Sequence, residues 1–315
     1  MESTAFRTQI GSVPHGKQID YHSKLVLFGS CFSENIGNKL SYYKFDTHTN
    51  PYGVLFNPVS IANALQDCIQ KRVFTEDDLF FHNELWHSYV HHSDFSNSDK
   101  GKVLQAMNRT IETTHEKLKT ASHLFITLGT SWVYKERSKG KVVANCHKVS
   151  QREFDKVLLG VPEIVEGLRY LQKELLKLNP ELTIIYTVSP VRHLKDGFME
   201  NTLSKSHLLT AIHQVKDEFN WYFPSYEIMM DDLREYRFYK RDMLHPNDLA
   251  IDYIWSVFSE FWMTSSVISV QKEVENIQKG LAHKPFHSNS AAHLKFRKQL
   301  QEKIEALEIK LGIKF

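Results

Sequence analysis

The stretch "LVLFGSCFSENIG", Leu25 to Gly37, decides the fold class of this chain. An uninterrupted apolar run ends in a Gly-Ser-Cys turn, and a helical pattern follows at once. The stretch predicts a buried strand over Lys24 to Ser30 and a helix from Ser33 to about Tyr43, with Ser33 as its N-cap. Two side chains capable of nucleophilic attack, Ser30 and Cys31, therefore lie next to each other at a strand-to-helix turn.

The rest of the chain repeats this alternation of apolar strands and helical patterns. "HLFITLGT" (123–130) and "LTIIYTVSP" (182–190) read as further buried strands, and helices are expected over about 152–178 and 202–219. A β-hairpin that turns at 138–140 and a strand within "YFPSYEIMMDDL" (222–233) are also expected. Alternating strands and helices predict an α/β fold with a mainly parallel, doubly wound sheet.

Composition excludes several classes of protein. The 315 residues are 42% hydrophobic and 24% charged, which suits a packed core, and the formal net charge of +2 gives no electrostatic basis for binding nucleic acid or a membrane surface. The three cysteines are odd in number and form no CxxC pair, so neither a disulfide framework nor a structural zinc site is expected. The first residues lack a signal-peptide pattern, and no apolar run is long enough for a membrane helix. We therefore expect a cytoplasmic protein without a cofactor.

The character of the sequence changes after Thr264. We predict one α/β domain over 1–264 and a helical extension over 265–315, whose two helices flank "HKPFHSNS" (283–290). In the second helix one face carries Leu300, Ile304, Leu307 and Leu311. That face either packs on its own domain or joins two copies of the chain into a homo-oligomer.

Four loops carry reactive groups at positions that follow strands or precede a late helix. They are "GSC" (29–31), "NPYG" (50–53), "LGTSW" (128–132) and "RDMLHPND" (241–248). In a doubly wound sheet, ligands bind outside the carboxyl ends of the strands. These loops are therefore the predicted site.

These blocks resemble the SGNH/GDSL hydrolase superfamily and, within it, the GSCFA-domain family. "FGSCFSENIG" matches the Gly-Ser-Cys-Phe-Ala motif except that Ser33 replaces the final Ala, and "TLGTSWVY", "NCHKVSQREF", "SPVRHLKDG" and "LHPND" resemble further family blocks. The resemblance covers about Phe6 to Trp262. It implies a three-layer α/β/α sandwich.

The resemblance also implies a nucleophile. The superfamily has Gly-Asp-Ser where this chain has Gly29-Ser30-Cys31, so Cys31 takes the nucleophile's place and Ser30 the Asp place. Cys31 is favoured and Ser30 remains the alternative. A thiol at a helix N-terminus should have a lowered pKa, which supports the same choice. The competing interpretation is a buried structural cysteine.

"DMLH" resembles the superfamily's Asp-x-x-His block. His245 would act as general base, and Asp242 would orient it. The alternative is that Asp242 pairs with Lys240 or Arg241 and that His245 merely precedes a helix.

The expected oxyanion donors are the backbone amides of Cys31 and Gly53. The superfamily's Gly-x-Asn-Asp block is "GTSW" here, so Thr130 and Ser131 occupy the second and third places and the Asn is missing. A serine hydroxyl donates one hydrogen bond but lacks the reach of an amide. Either Ser131 serves, or another group such as Asn145 replaces it.

Two histidine-containing segments are further candidates. His147 in "NCHK" is a candidate for substrate binding or acid–base chemistry, or else it lies at a strand end, with Cys146 pointing the opposite way. His87, His91 and His92 have spacings that a metal site could use, but no carboxylate or cysteine completes a ligand set. We expect no metal.

The leading functional interpretation is hydrolysis of an acyl ester, for instance an acetyl group on a small molecule or carbohydrate, by Cys31 or Ser30 with His245 and Asp242. The alternatives are an acyltransferase that uses the same site and a non-catalytic binding or scaffold protein that keeps the fold.

Overall fold

The computed structural model describes residues 8–11, 16–287 and 290–315. In this part of the chain the strands are β1 (Lys24–Gly29), β2 (Asp46–Thr49), β3 (Phe80–His82), β4 (Leu85–His87), β5 (His123–Leu128), β6 (Trp132–Glu136), β7 (Val142–Val143), β8 (Phe154–Leu158), β9 (Thr183–Val188) and β10 (Asn220–Tyr222). The helices are α1 (Cys31–Tyr42), α2 (Pro58–Ile69), α3 (Lys100–Thr120), α4 (Val161–Leu178), α5 (Phe198–Val215), α6 (Ser225–Glu227), α7 (Asp248–Trp262), α8 (Ser265–Ala282) and α9 (Ala291–Leu311). A π-helical segment, Ile228–Leu233, continues α6.

The central sheet has the order β2-β1-β5-β9-β10, and all four neighbouring pairs are parallel. The chain first steps from β1 outward to β2 and then returns past β1 to β5. This reversal makes the carboxyl ends of β1 and β5 the topological switch point, where a ligand crevice forms in doubly wound sheets. Gly29 pairs with Thr127 at that end of the sheet.

The sheet is buried on both faces, which explains why its inner strands are continuous apolar runs. Along β1, Val26 and Phe28 belong to the core shared with α2, α3, α4 and α5, whereas Leu25 and Leu27 belong to the core shared with α1, α7, α8 and α9. Helices thus cover both faces. The prediction of a three-layer α/β/α sandwich with a mainly parallel doubly wound sheet is confirmed.

The C-terminal helices pack on the same chain. In α9, Ile304 and Leu307 are buried in the core that contains α7, and Leu300 and Leu311 pack against it. Gln278 Nε2 of α8 donates to the Tyr42 carbonyl oxygen at 2.8 Å. The apolar face of α9 therefore has a partner within the chain. Among the described residues, none of the helices combines the length and apolar character that a bilayer span requires.

Several predicted boundaries need correction. The first helix begins at Cys31, because Ser30 caps it, while the Ser33 hydroxyl instead pairs with Thr127 Oγ1 at 2.7 Å. The helix expected over 152–178 begins only at Val161, with Pro162 in its first turn, and its expected first part contains β8, which pairs with β6.

Three other predictions have mixed outcomes. The hairpin is confirmed, since β6 and β7 pair antiparallel around 137–141. In 222–233 only Tyr222 belongs to a strand, and most of the segment is helical. The predicted domain over 1–264 includes residues 1–7 and 12–15, which lie outside the described residues.

Candidate active site

The turn after β1 depends on Gly29. Its φ of +140° lies in a region that L side chains rarely adopt, and a Cβ there would lie 2.2 Å from the Thr127 carbonyl oxygen. The same carbonyl oxygen accepts the Ser30 N–H at 3.2 Å. Glycine thus lets β1 end against β5 while the chain turns sharply into α1 at the switch point.

The two adjacent nucleophile candidates have different surroundings. Ser30 is 0% exposed, and its Oγ accepts the Phe32 N–H at 3.3 Å as the N-cap of α1. Cys31 is the first helical residue and is partly exposed with a free thiol. As the first residue of a helix, Cys31 has a backbone N–H without an intrahelical acceptor. Ser30 therefore caps the helix from a buried position, and Cys31 is the partly exposed member of the pair at the switch point.

The pKa of the Cys31 thiol is raised, so the prediction of a lowered pKa is wrong. Burial is the largest cause, and the carboxylate of Glu34, one turn further along α1, adds to it. Lys205 and Lys240 act in the opposite direction but do not outweigh these effects. The resting thiol thus carries its proton and needs a base.

Asp242 and His245 form a hydrogen-bonded pair. His245 Nδ1 lies 2.7 Å from Asp242 Oδ2, and Asp242 Oδ1 accepts the N–H groups of His245 at 3.0 Å and Leu244 at 2.9 Å. These backbone bonds lower the pKa of Asp242 to about 2, so the carboxylate stays ionised. If Nδ1–H of His245 is donated to Asp242, Nε2 carries no proton and can accept one. The His245 side chain is 40% exposed.

Backbone hydrogen bonds tie the loop of His245 to the carboxyl edge of the sheet. The Arg192 N–H, after β9, donates to the Leu244 carbonyl oxygen at 3.3 Å, and within the loop the Lys240 N–H donates to the His245 carbonyl oxygen at 2.7 Å. His193, next to Arg192, interacts electrostatically with both His245 and Lys205, and burial lowers its pKa to about 3. Among the described residues no hydrogen bond joins the Cys31 thiol to His245, and such contacts are often long before substrate binds.

The predicted oxyanion donors in loops 50–53 and 129–131 are already hydrogen-bonded. The Gly53 N–H donates to the Asn50 carbonyl oxygen at 2.7 Å. The buried Ser131 hydroxyl donates to the Ser204 carbonyl oxygen at 3.2 Å, and Thr130 Oγ1 lies 3.0 Å from Ser204 Oγ. Thr130 and Ser131 thus hold loop 129–131 against α5, and the Gly53 N–H closes a turn within its own loop.

Asn50 is a donor that the sequence analysis missed. Its Oδ1 accepts the Gly29 N–H at 2.9 Å, whereas its buried Nδ2 has no partner in the described part of the chain. A buried unpaired amide costs about 1–3 kcal/mol, so it calls for a functional explanation. The available signal was an Asn-Pro pair in a loop that follows a strand.

Asn145 and His147 follow the end of β7, as the alternative for this segment expected, although His147 itself lies in a turn. His147 has a φ of +49°, and its N–H donates to Asn145 Oδ1 at 2.8 Å. The His147 ring packs 4.6 Å from the His87 ring and bonds the Ser88 carbonyl oxygen at 2.8 Å, and burial lowers its pKa to about 4. His147 therefore belongs to the aromatic cluster of segment 80–92.

The other histidines of that segment also have local partners. His91 is buried and stacks on Tyr52 at 4.3 Å, and His92 Nδ1 lies 3.0 Å from Asp94. Within the described ranges, no three His, Cys, Asp or Glu side chains converge as metal ligands.

Lys205 is a second group that the sequence analysis missed. It lies on the buried face of α5, in register with Asn201, Leu208 and Ile212, and it interacts electrostatically with Cys31. The signal was a lone lysine on the apolar stripe of a helix, a position at which lysine is almost never fully buried unless it has partners.

Comparison with known families agrees with this arrangement. The sequence model of the GSCFA family matches residues 24–258, which is more than half of the chain. The protein belongs to the GSCFA family. A second model, the C-terminal domain of GSCFA domain proteins, matches residues 274–314 and so covers the second half of α8 and all of α9. The family match includes β1, the Gly29–Cys31 turn and the Asp242–His245 pair.

Comparison with curated protein sequences gives no significant match. Two solved structures resemble the fold of this GSCFA protein. A carbohydrate esterase of family 3 from Talaromyces cellulolyticus has a TM-score of 0.36 and 9% identity over 80% of this chain and 99% of its own. An acetyl xylan esterase from the rumen bacterium Butyrivibrio proteoclasticus has a TM-score of 0.35 and 11% identity over 82% of this chain and 65% of its own.

Proposed function

We propose that this GSCFA protein is an ester hydrolase that uses Cys31 as its nucleophile and the Asp242–His245 pair as its base. The observation that carries the proposal is a partly exposed thiol at the first position of α1, beside the topological switch point, in a chain that also holds a hydrogen-bonded Asp-His pair at the same edge of the sheet. The resemblance to SGNH hydrolases points to an acyl ester, for instance an acetyl group on a carbohydrate.

The reaction would proceed in two halves. His245 Nε2 takes the proton of the Cys31 thiol as Sγ attacks the ester carbonyl carbon, and Asp242 holds the ring and stabilises the imidazolium. The tetrahedral intermediate collapses, the alkoxide leaves with the proton from His245, and an acyl thioester remains on Cys31. Water then attacks the thioester with His245 as base, which releases the carboxylic acid and restores the thiol.

The oxyanion would be bound by the Cys31 N–H and by Asn50 Nδ2. Cys31 supplies an amide at a helix N-terminus, where the helix dipole also favours negative charge. Asn50 supplies an unpaired amide in the loop that receives the Gly29 N–H. Asn50 would thus take the role of the Asn that the "GTSW" block lacks, although it lies in a different loop.

Hydrolysis of p-nitrophenyl acetate and of acetylated oligosaccharides by wild type, Cys31→Ala and Cys146→Ala tests the proposal. Cys146 is the matched control, because it is the other partly exposed thiol. We expect Cys31→Ala to lose turnover and Cys146→Ala to keep it. If both variants retain wild-type turnover, Cys31 is not the nucleophile; if the wild type turns over no ester, a binding role is favoured.

A further inference from the structure

A lysine is buried at the carboxyl ends of β5 and β9, the edge of the sheet from which α1 starts. Lys205 is 1% exposed, and its Nζ donates to the carbonyl oxygens of Gly129 and Ser189, both at 2.7 Å. Those two carbonyls follow β5 and β9 directly. Among the described residues no carboxylate forms an ion pair with Lys205. A buried cation that only neutral acceptors hold is costly for a fold.

Of the groups around Lys205 described below, Cys31 is the one whose ionised form carries a negative charge that the ammonium group favours. The Tyr226 ring of α6 has its centroid 5.8 Å from Nζ. His193 is held neutral, because burial and the charge of Lys205 lower its pKa to about 3. Cys31 and Lys205 interact in both directions, since each favours the charged form of the other.

We propose that Lys205 is a positioning residue of this site, whose buried ammonium group stabilises the negative charge that develops on Cys31. The proposal rests on the proposed role of Cys31 as nucleophile. The hydrogen bonds from Nζ to the carbonyl oxygens of Gly129 and Ser189 fix the position of the positive charge of Lys205. Lys205 would act on the thiol through its field and would not touch the substrate.

This arrangement has a characteristic dependence on pH. Burial lowers the pKa of Lys205 to about 7, whereas the pKa of Cys31 is raised by burial and by Glu34. Lys205 is therefore charged below about pH 7 and mostly neutral above it. The wild-type thiolate fraction should rise with pH throughout, but less steeply around pH 7, where Lys205 loses its proton, than at lower or higher pH, until the thiol itself titrates.

The exposed Lys240 provides a matched control, since it also favours the thiolate of Cys31 but lies in solvent. A buried charge is screened far less by salt than an exposed one. The Lys205→Met substitution should therefore lower the thiolate fraction of Cys31 at low and at high salt. The decrease that Lys240→Met causes should become smaller as salt is added.

The experiment is the rate of iodoacetamide alkylation of Cys31, followed by peptide mass spectrometry, from about pH 6 to about pH 9. Near pH 6 we expect Cys31 to be alkylated roughly three- to tenfold more slowly in Lys205→Met than in wild type. This difference should not depend on salt, and it should disappear near pH 9. Circular dichroism establishes that the variant is folded. The wild-type profile alone is a second test, because the logarithm of its alkylation rate should rise less steeply with pH near pH 7 than on either side of it.

A wild-type profile whose slope does not change near pH 7, or the same rate ratio between variant and wild type at every pH, would overturn the role of Lys205. Alkylation needs no ester substrate, so these outcomes are independent of whether the protein hydrolyses esters. Loss of turnover in Cys31→Ala together with an unchanged alkylation profile in Lys205→Met would leave the proposed function standing and remove Lys205 from it.

Discussion

Replacement of Ser30 by Ala separates the two adjacent nucleophile candidates. The substitution removes the hydroxyl oxygen that accepts the Phe32 N–H at 3.3 Å and leaves the buried first turn of α1 without its cap. Loss of a serine N-cap costs about 0.5–2 kcal/mol, and the long hydrogen bond points to the middle of that range, about 1 kcal/mol. In a chain of this size, that loss lowers the melting temperature by roughly 2 °C.

Activity should change little in the same variant. Ser30 is 0% exposed and its oxygen faces its own helix, so we expect kcat/KM of Ser30→Ala to stay within about threefold of wild type. Cys31→Ala should have the opposite pattern. It should abolish turnover but lower the free energy of unfolding by less than Ser30→Ala does, because Cys31 is only partly buried.

Urea unfolding and ester hydrolysis, measured on the same preparations, provide both readouts. The reasoning fails if Ser30→Ala folds normally but loses turnover while Cys31→Ala retains it. That pattern would make Ser30 the nucleophile, in spite of its burial and its capping role.

Three further variants test the electrostatics of the site. Asn50→Asp keeps the oxygen that accepts the Gly29 N–H but removes the amide donor, so kcat should fall by about tenfold or more with little change in KM; unchanged kcat in this variant excludes Asn50 as an oxyanion donor. Glu34→Gln removes a cause of the raised pKa of Cys31, so alkylation near pH 7 should become about two- to threefold faster; a slower rate contradicts the assigned sign. Asp242→Asn should lower kcat/KM by at least about tenfold at every pH from about 5 to about 8. The loss should not depend on pH in this range, because the pKa of Asp242 is lowered to about 2 and its carboxylate stays ionised. A loss confined to low pH would contradict this role.

The sheet was predictable because its inner strands are buried on both faces. β1, β5 and β9 read as continuous apolar runs, and the reactive loops follow them directly. A strand was expected before "NPYG", but its bounds were not, because the edge strand "DTHT" is polar and its pairing with β1 is a tertiary contact. β8 was mistaken for part of a helix, although Gly160 and Pro162 mark the true start of α4.

The candidate site was only partly predictable. The turn at Cys31 and the Asp242–His245 pair are local in sequence, so a motif could indicate them. Asn50 and Lys205 reach the site from other parts of the chain, and only the packing of loop 50–53 and α5 places them there. The pKa of Cys31 was misjudged for the same reason. The helix N-terminus is visible in the sequence, but the burial that raises the pKa is not.

The most direct test is to find the acyl group during turnover. The protein is mixed with p-nitrophenyl acetate, quenched with acid within the first turnovers expected, digested and analysed by mass spectrometry. We predict one acetyl group on the peptide that contains Cys31, bound as a thioester that hydroxylamine removes, and none on Cys146. An acetyl group on the Ser30 oxygen, or steady hydrolysis that survives in Cys31→Ala, would contradict catalysis by Cys31.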